Sequence, residues 1–99
     1  MKIEYDTIPR MTIEEFADAN GLVMEVHERR GWTGVGRYYA KFTQVEVMEG
    51  GCLAGTFGDG LTPEEAIRAY AREISEKRIA YRAYHDDRKN IDVPVLTDK

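Results

Sequence analysis

Gly55-Thr56-Phe57-Gly58-Asp59-Gly60-Leu61-Thr62-Pro63-Glu64-Glu65-Ala66-Ile67-Arg68-Ala69-Tyr70-Ala71-Arg72-Glu73-Ile74 contains a strand end, a turn and a helix start in succession. The glycines mark the turn. Thr62 then offers its hydroxyl as an N-cap, Pro63 falls at the first helical position, where its missing N–H costs nothing, and Glu65 completes a capping box. Beyond it, Ala66, Ile67, Tyr70, Ala71 and Ile74 recur on one face, the stripe of a helix laid on a sheet.

Upstream, Thr12-Ile13-Glu14-Glu15 repeats the capping-box pattern, with Met11 placed to staple against Phe16. A short first helix follows, apolar through Ile13, Phe16 and Ala17 and acidic through Glu14, Glu15 and Asp18. Asn20-Gly21 stops it, because glycine accepts the left-handed conformation of a helix C-terminus. Before it, Pro9 punctuates the chain, and Lys2 to Tyr5 reads either as a short edge strand or as a tail.

Leu22 to Glu28 alternates as a strand, with Leu22, Met24 and Val26 toward the core. Arg29-Arg30-Gly31-Trp32-Thr33-Gly34-Val35-Gly36-Arg37 is a loop, since its glycines leave nothing to hold a regular element. Tyr38 to Met48 reads as one long strand. Its apolar phase shifts from Tyr38, Ala40 and Phe42 to Val45 and Val47, which predicts a bulge or bend near Thr43 and Gln44. Glu49-Gly50-Gly51 is a tight hairpin turn, and Cys52 to Phe57 is the third strand. After the second helix no glycine or proline marks a stop, so residues 79 to 84 fit a fourth strand or a continuing helix. His85 to Asn90 is a polar turn. Ile91, Val93 and Val95 suit a last strand that Pro94 restricts to an edge, and the final residues are expected to fray.

The chain's 99 residues suit a single domain, with a core over residues 12–75 and an extension over 76–99, in the α+β class: an α-β-β-β-α order, an antiparallel sheet packed against two helices, and a C-terminal strand-like extension. Cys52 is the sole cysteine, which excludes an internal disulfide, and its apolar neighbours predict a buried, inert thiol. The absence of a long apolar run or signal-like N-terminus gives the expectation of a cytoplasmic protein with no membrane association.

The net charge of −4 argues against broad affinity for phosphate backbones, yet the charge is segregated. Residues 29–41 hold four bases and no acid, whereas residues 42–65 hold five acids and no base. A directed binding surface and a set of solvated faces both fit that pattern.

The order helix, strand, strand, strand, helix over residues 12 to about 75 resembles the double-stranded RNA-binding domain. The matching features are Asn20-Gly21-Leu22 opening the first strand, the glycine-rich loop after it, and Gly58-Asp59-Gly60-Leu61-Thr62 leading into Glu65-Ala66, Ala69 and Ala71. The resemblance implies that lysines at the start of the second helix reach phosphates while the first helix and first hairpin loop touch minor grooves. Pro63, Glu64 and Ile67 occupy the positions of those lysines, the loop lacks the family's Pro-x-His element, and the first helix is acidic outside. The RNA contacts therefore do not carry over. Gly60, Thr62, Pro63, Glu64, Glu65, Ala66 and Ile67 are also similar to the final strand and helix of HicB-type antitoxins, although that family's Pro-Gly element is missing and a helix precedes the strands. In general style the whole chain looks like small proteins of tailed phages and prophages.

No metal or cofactor is expected. His27 and His85 are far apart, no Cys/His spacing matches a zinc module, and His85-Asp86-Asp87 reads as a polar turn. Cys52 with His27 makes no nucleophile motif. Gly55-x-x-Gly58-x-Gly60 is neither a Walker sequence nor a dinucleotide fingerprint, and Glu64 with Glu65 would repel phosphate.

The functional candidates are Arg29, Arg30, Trp32, Arg37 and Tyr39, because Trp and Arg are the types most enriched at interface hot spots and a tryptophan between glycines has few local neighbours. The alternative is that Trp32 folds back on the sheet while the arginines solubilise the loop. Arg78, Arg82, Arg88 and Lys89 read as a solvated face, and Tyr70, Tyr81 and Tyr84 as core or sheet packing. The expected function is non-enzymatic binding of a protein or nucleoprotein. Its sharpest form is a phage-encoded, anti-CRISPR-like inhibitor of a host complex. A nucleic-acid-binding module and a HicB-like antitoxin are the alternatives.

Overall fold

The computed structural model describes residues 10–97, with side chains from residue 11 onward; Lys2 to Tyr5, Pro9 and the last two residues, on which sequence expectations fall, lie outside the described residues. The class is α+β. Two antiparallel sheets and one parallel strand pair accompany two helices among the described residues.

β1 (Arg10–Thr12) runs directly into α1 (Ile13–Asn20). The capping box is complete there: the Thr12 hydroxyl accepts from the Glu15 N–H at 3.1 Å, and the Glu15 carboxylate accepts from the Thr12 N–H at 3.0 Å. Gly21, with φ of 66°, closes the helix in the left-handed region. Met11 packs on the core, and Ile13, Phe16 and Ala17 are buried in it.

β2 (Met24–Glu28) pairs antiparallel with β3 (Tyr38–Phe42), placing Met24 opposite Phe42 and His27 opposite Tyr39. Leu22 is buried, but the inward side of the strand opens along its length and Val26 is exposed. The run expected as a single strand breaks at Thr43-Gln44 into β3 and β4 (Val45–Glu49). Gln44 has φ of 60°, Thr43 N–H donates to the Val23 carbonyl, and Arg82 N–H donates to the Gln44 carbonyl. This turn moves the chain between sheets while keeping Phe42 and Val45 both buried, which explains the phase shift.

Gly50 and Gly51, both with positive φ (55° and 83°), make the two-residue turn to β5 (Cys52–Ala54), with Glu49 opposite Cys52. The expected strand over 52–57 is also interrupted. After β5 the chain crosses to the first sheet and adds β6 (Gly58–Gly60) beside β3. Cys52 is exposed, contrary to the expectation of burial. β5 pairs with β4 alone and lies at an edge of the second sheet, so an apolar neighbourhood in sequence does not cover its thiol.

Gly58 and Gly60 are strand residues, not the turn their type suggested. α2 (Pro63–Ile74) lies so close to β6 that a Cβ on Gly58 would sit 2.2 Å from the Tyr70 nitrogen, and one on Gly60 would sit 2.4 Å from the Ala66 nitrogen. Thr62 caps α2 as expected, accepting from the Glu65 N–H at 3.2 Å. The Glu65 carboxylate reaches one residue further back than a capping box requires and accepts from the Leu61 N–H at 3.0 Å.

The unmarked helix stop is made by Ser75 and Glu76. The Ser75 hydroxyl donates to the Ala71 carbonyl and accepts from the Leu96 N–H, and Glu76 takes φ of 62°. The chain then forms β7 (Arg78–Tyr81) against β4, so the strand alternative holds for residues 79–81, while residues 82–84 turn, with Arg82 at φ of 55°. β8 (Lys89–Asp92) follows the polar turn, and Pro94 separates it from β9 (Val95–Thr97), which pairs parallel with β1.

The buried side chains join in one cluster spanning both sheets and both helices. At its centre Phe42 meets Tyr70 edge-on at 5.4 Å and Phe16 at 6.2 Å. Each such fully buried large side chain contributes roughly 1.5–3 kcal/mol. No helix among the described residues is long and apolar enough to cross a membrane.

Candidate functional site

The loop between β2 and β3 is closed at its neck by the Arg29 N–H donating to the Arg37 carbonyl at 2.7 Å. Inside it, the Trp32 N–H donates to the Arg29 carbonyl and the Arg37 N–H to the Gly34 carbonyl, both at 3.1 Å. Gly31, Gly34 and Gly36 supply the positive φ values these turns need. Gly36 also gives room, since a Cβ there would lie 3.3 Å from both an Arg29 guanidinium nitrogen and the Trp32 indole nitrogen.

Two arginines brace the loop through different partners. Arg37 grips the Glu28 carboxylate through Nε and Nη2 and donates to the Trp32 carbonyl at 3.0 Å. The guanidinium holds the Glu28 carboxyl below its usual range, and the carboxylate in turn raises Arg37. Arg30 adds a weaker charge to the same carboxylate. Arg29 donates to the Gly36 carbonyl at 2.6 Å and to Asp59 at 2.9 Å. Its guanidinium lies 4.4 Å from the centre of the Tyr39 ring and 5.5 Å from that of Phe57.

Tyr39 belongs to a ladder across the outer face of the first sheet. His27 stacks on it at 4.9 Å, Phe57 meets it edge-on at 5.8 Å, and the Glu25 carboxylate bonds His27 Nε2 at 2.8 Å. That bond is the main cause of a lowered Glu25 pKa. With Arg29 on the ring as well, Tyr39 is spent inside the protein and offers no free stacking platform.

Trp32 is different. Its indole N–H donates to the Val35 carbonyl at 3.0 Å, so its polar handle is satisfied within the loop, while 53% of its surface faces solvent. Val35 is 70% exposed beside it in the loop, and Leu61, after β6, is 50% exposed. About half of the Trp32 side chain is open to solvent.

The five sequence candidates thus gather in one place but divide by role: Arg29, Arg37 and Tyr39 hold the loop, whereas Arg30 and Trp32 face outward. Sequence reading missed Asp59 and Phe57, which arrive from β6 and its approach, and Val35 and Leu61, which carry no motif. Of the second basic set, Arg78 pairs with Asp92 and Arg82 with Asp87, each at 2.8 Å on the surface, and Arg88 donates to Asn90. Tyr70 is buried and Tyr81 packs against the core, but Tyr84 is exposed. Cys52 and His27 stand on different sheets. Among the described residues no group of His, Cys, Asp and Glu is placed to hold a metal ion. No protein-family model, curated protein or solved structure matches this chain.

Proposed function

We propose that this chain is a small non-enzymatic binding protein that offers the 29–37 loop, with Trp32 and Val35 foremost, to a protein, either alone or within a nucleoprotein. The supporting observation is the division of labour in the loop. Arg29 and Arg37 are neutralised by Asp59 and Glu28, so what the loop turns outward is the apolar surface of Trp32 and Val35 beside Arg30, a cation paired with no described residue, on a braced frame. A rigid exposed tryptophan loses little entropy on docking and buries a large area, the combination typical of an interface hot spot.

Capture from lysates of candidate hosts tests this reading. Wild type retains a protein partner after nuclease treatment, and Trp32→Ala, which removes no core contact, weakens that capture by about thirtyfold or more, the scale of a hot-spot tryptophan. Capture that is unchanged in Trp32→Ala contradicts the reading.

The sharper form, a phage-encoded inhibitor of a host complex of the anti-CRISPR kind, draws on the style of the sequence. Gene neighbourhood discriminates here: a phage or defence locus favours inhibition, and an adjacent toxin gene favours a HicB-like antitoxin. A nucleic-acid-binding reading draws on Arg68 and Arg72 of α2, which form no hydrogen bond or ion pair with any described residue. Binding of duplex or single-stranded oligonucleotides that falls steeply with salt would favour it.

A further inference from the structure

Besides Arg30 in the loop, two free cations among the described residues lie where the loop meets α2. Val35, Asp59, Gly60, Glu65, Arg68 and Arg72 line a cleft of about 300 Å3. Both acids in its walls are engaged: Asp59 accepts from Arg29, and Glu65 accepts from the Leu61 N–H. Arg68 and Arg72 are not. They are exposed, one helical turn apart, and bonded to no described residue. Like charges at this spacing destabilise a helix, and a carboxylate placed between two guanidiniums relieves the repulsion with charge-assisted hydrogen bonds.

We propose that this cleft receives an aspartate or glutamate side chain of the protein partner, held by Arg68 and Arg72, with an apolar partner residue beside it against Val35. The proposal rests on the reading of the loop as a protein-binding element and names the chemistry that element recognises. Charge complementarity favours a single partner carboxylate over a nucleic acid. Among the described residues only two free arginines face the cleft, enough to hold one carboxylate, whereas a run of phosphates needs a run of cations that this chain, with a net charge of −4, does not offer there. The exposed Val35 in its wall suits an apolar side chain and gives a phosphodiester nothing.

The test is selection from a displayed library of random short peptides on the immobilised full chain. Wild type, Trp32→Ala, Arg68→Glu/Arg72→Glu and Arg68→Gln/Arg72→Gln are compared, with circular dichroism confirming that each is folded. Wild type enriches peptides in which an acid adjoins an apolar residue. The Gln pair loses that preference by about tenfold or more. The Glu pair turns to basic peptides.

An acidic preference that persists in both double variants while Trp32→Ala abolishes selection overturns the cleft proposal and leaves the loop reading standing. Selection that is identical in all four proteins, or absent from wild type, overturns both. Retention of RNA or DNA oligonucleotides by wild type in place of peptides, lost in the Glu pair, overturns the proposal in favour of nucleic acid.

Discussion

Arg29 and Asp59, thirty positions apart in the chain, are joined at 2.9 Å, and this pair ties the β2–β3 loop to β6. Both side chains are more than a third exposed, so the ion pair itself contributes at most about 1 kcal/mol. The stack on Tyr39 and the bond to the Gly36 carbonyl add to it. Arg29→Ala is therefore expected to lower the unfolding free energy by about 1–2 kcal/mol and to speed amide exchange across residues 31–37. Arg29→Lys keeps the charge but loses the planar stack, and most of the loss remains. Urea denaturation and hydrogen exchange check this; protection of the loop unchanged in Arg29→Ala would show that the brace is idle.

The approach of α2 to β6 predicts an unusual cost for a single methyl group. Gly58→Ala and Gly60→Ala each place a Cβ under 3 Å from helix backbone, which cannot move aside as a side-chain tip can. Each is expected to destabilise by about 3 kcal/mol or to prevent folding. Gly55→Ala is the control, because a Cβ there meets nothing within 4 Å, and its effect should stay within about 0.5 kcal/mol. Denaturation midpoints of the three variants decide it.

Tyr70 makes the fold sensitive to alkali. It has no exposed surface, and burial pushes its pKa up to about 12, against the opposing effect of a backbone hydrogen bond at Phe42. The folded state thus holds the phenolic proton more tightly than the unfolded chain does. Its contribution is complete below the ordinary value of 10.0 and is lost as pH rises through about 12. The loss over that window amounts to about 3 kcal/mol at most. Tyr70→Phe should flatten the fall in stability between those values, as measured by denaturation at stepped pH; an unchanged slope would assign the alkaline sensitivity elsewhere.

What could be read from sequence was local. Thr12 with Glu15, Thr62 with Pro63, the Gly21 stop and the Gly50-Gly51 turn each complete their chemistry within a few residues, and the structure carries all of them. What escaped depends on distant partners. A glycine signals either positive φ or close approach, and Gly58 and Gly60 needed α2 in place to show which. The end of α2 is set by a serine hydroxyl bonded to Leu96, and the β1–β9 pair joins opposite ends of the described chain. The thiol of Cys52 was misjudged because Leu53 and Ala54 are themselves only half-buried on an outer strand. Residue types nominated the loop through Arg29, Trp32 and Arg37, but separating brace from contact required Asp59 and Phe57. Arg68 and Arg72 drew no reading from the sequence, because only the cleft gives their i,i+4 spacing a meaning.

Trp32 is the chain's sole tryptophan, so the central claim, that two arginines hold still the loop carrying this side chain while the side chain remains open to solvent, can be measured directly. Nanosecond decay of Trp32 fluorescence anisotropy is that measurement. The account predicts that nearly all the anisotropy decays with the rotation of the whole protein, and that Arg29→Ala/Arg37→Ala introduces a fast component. A dominant fast component in the wild-type protein would contradict it.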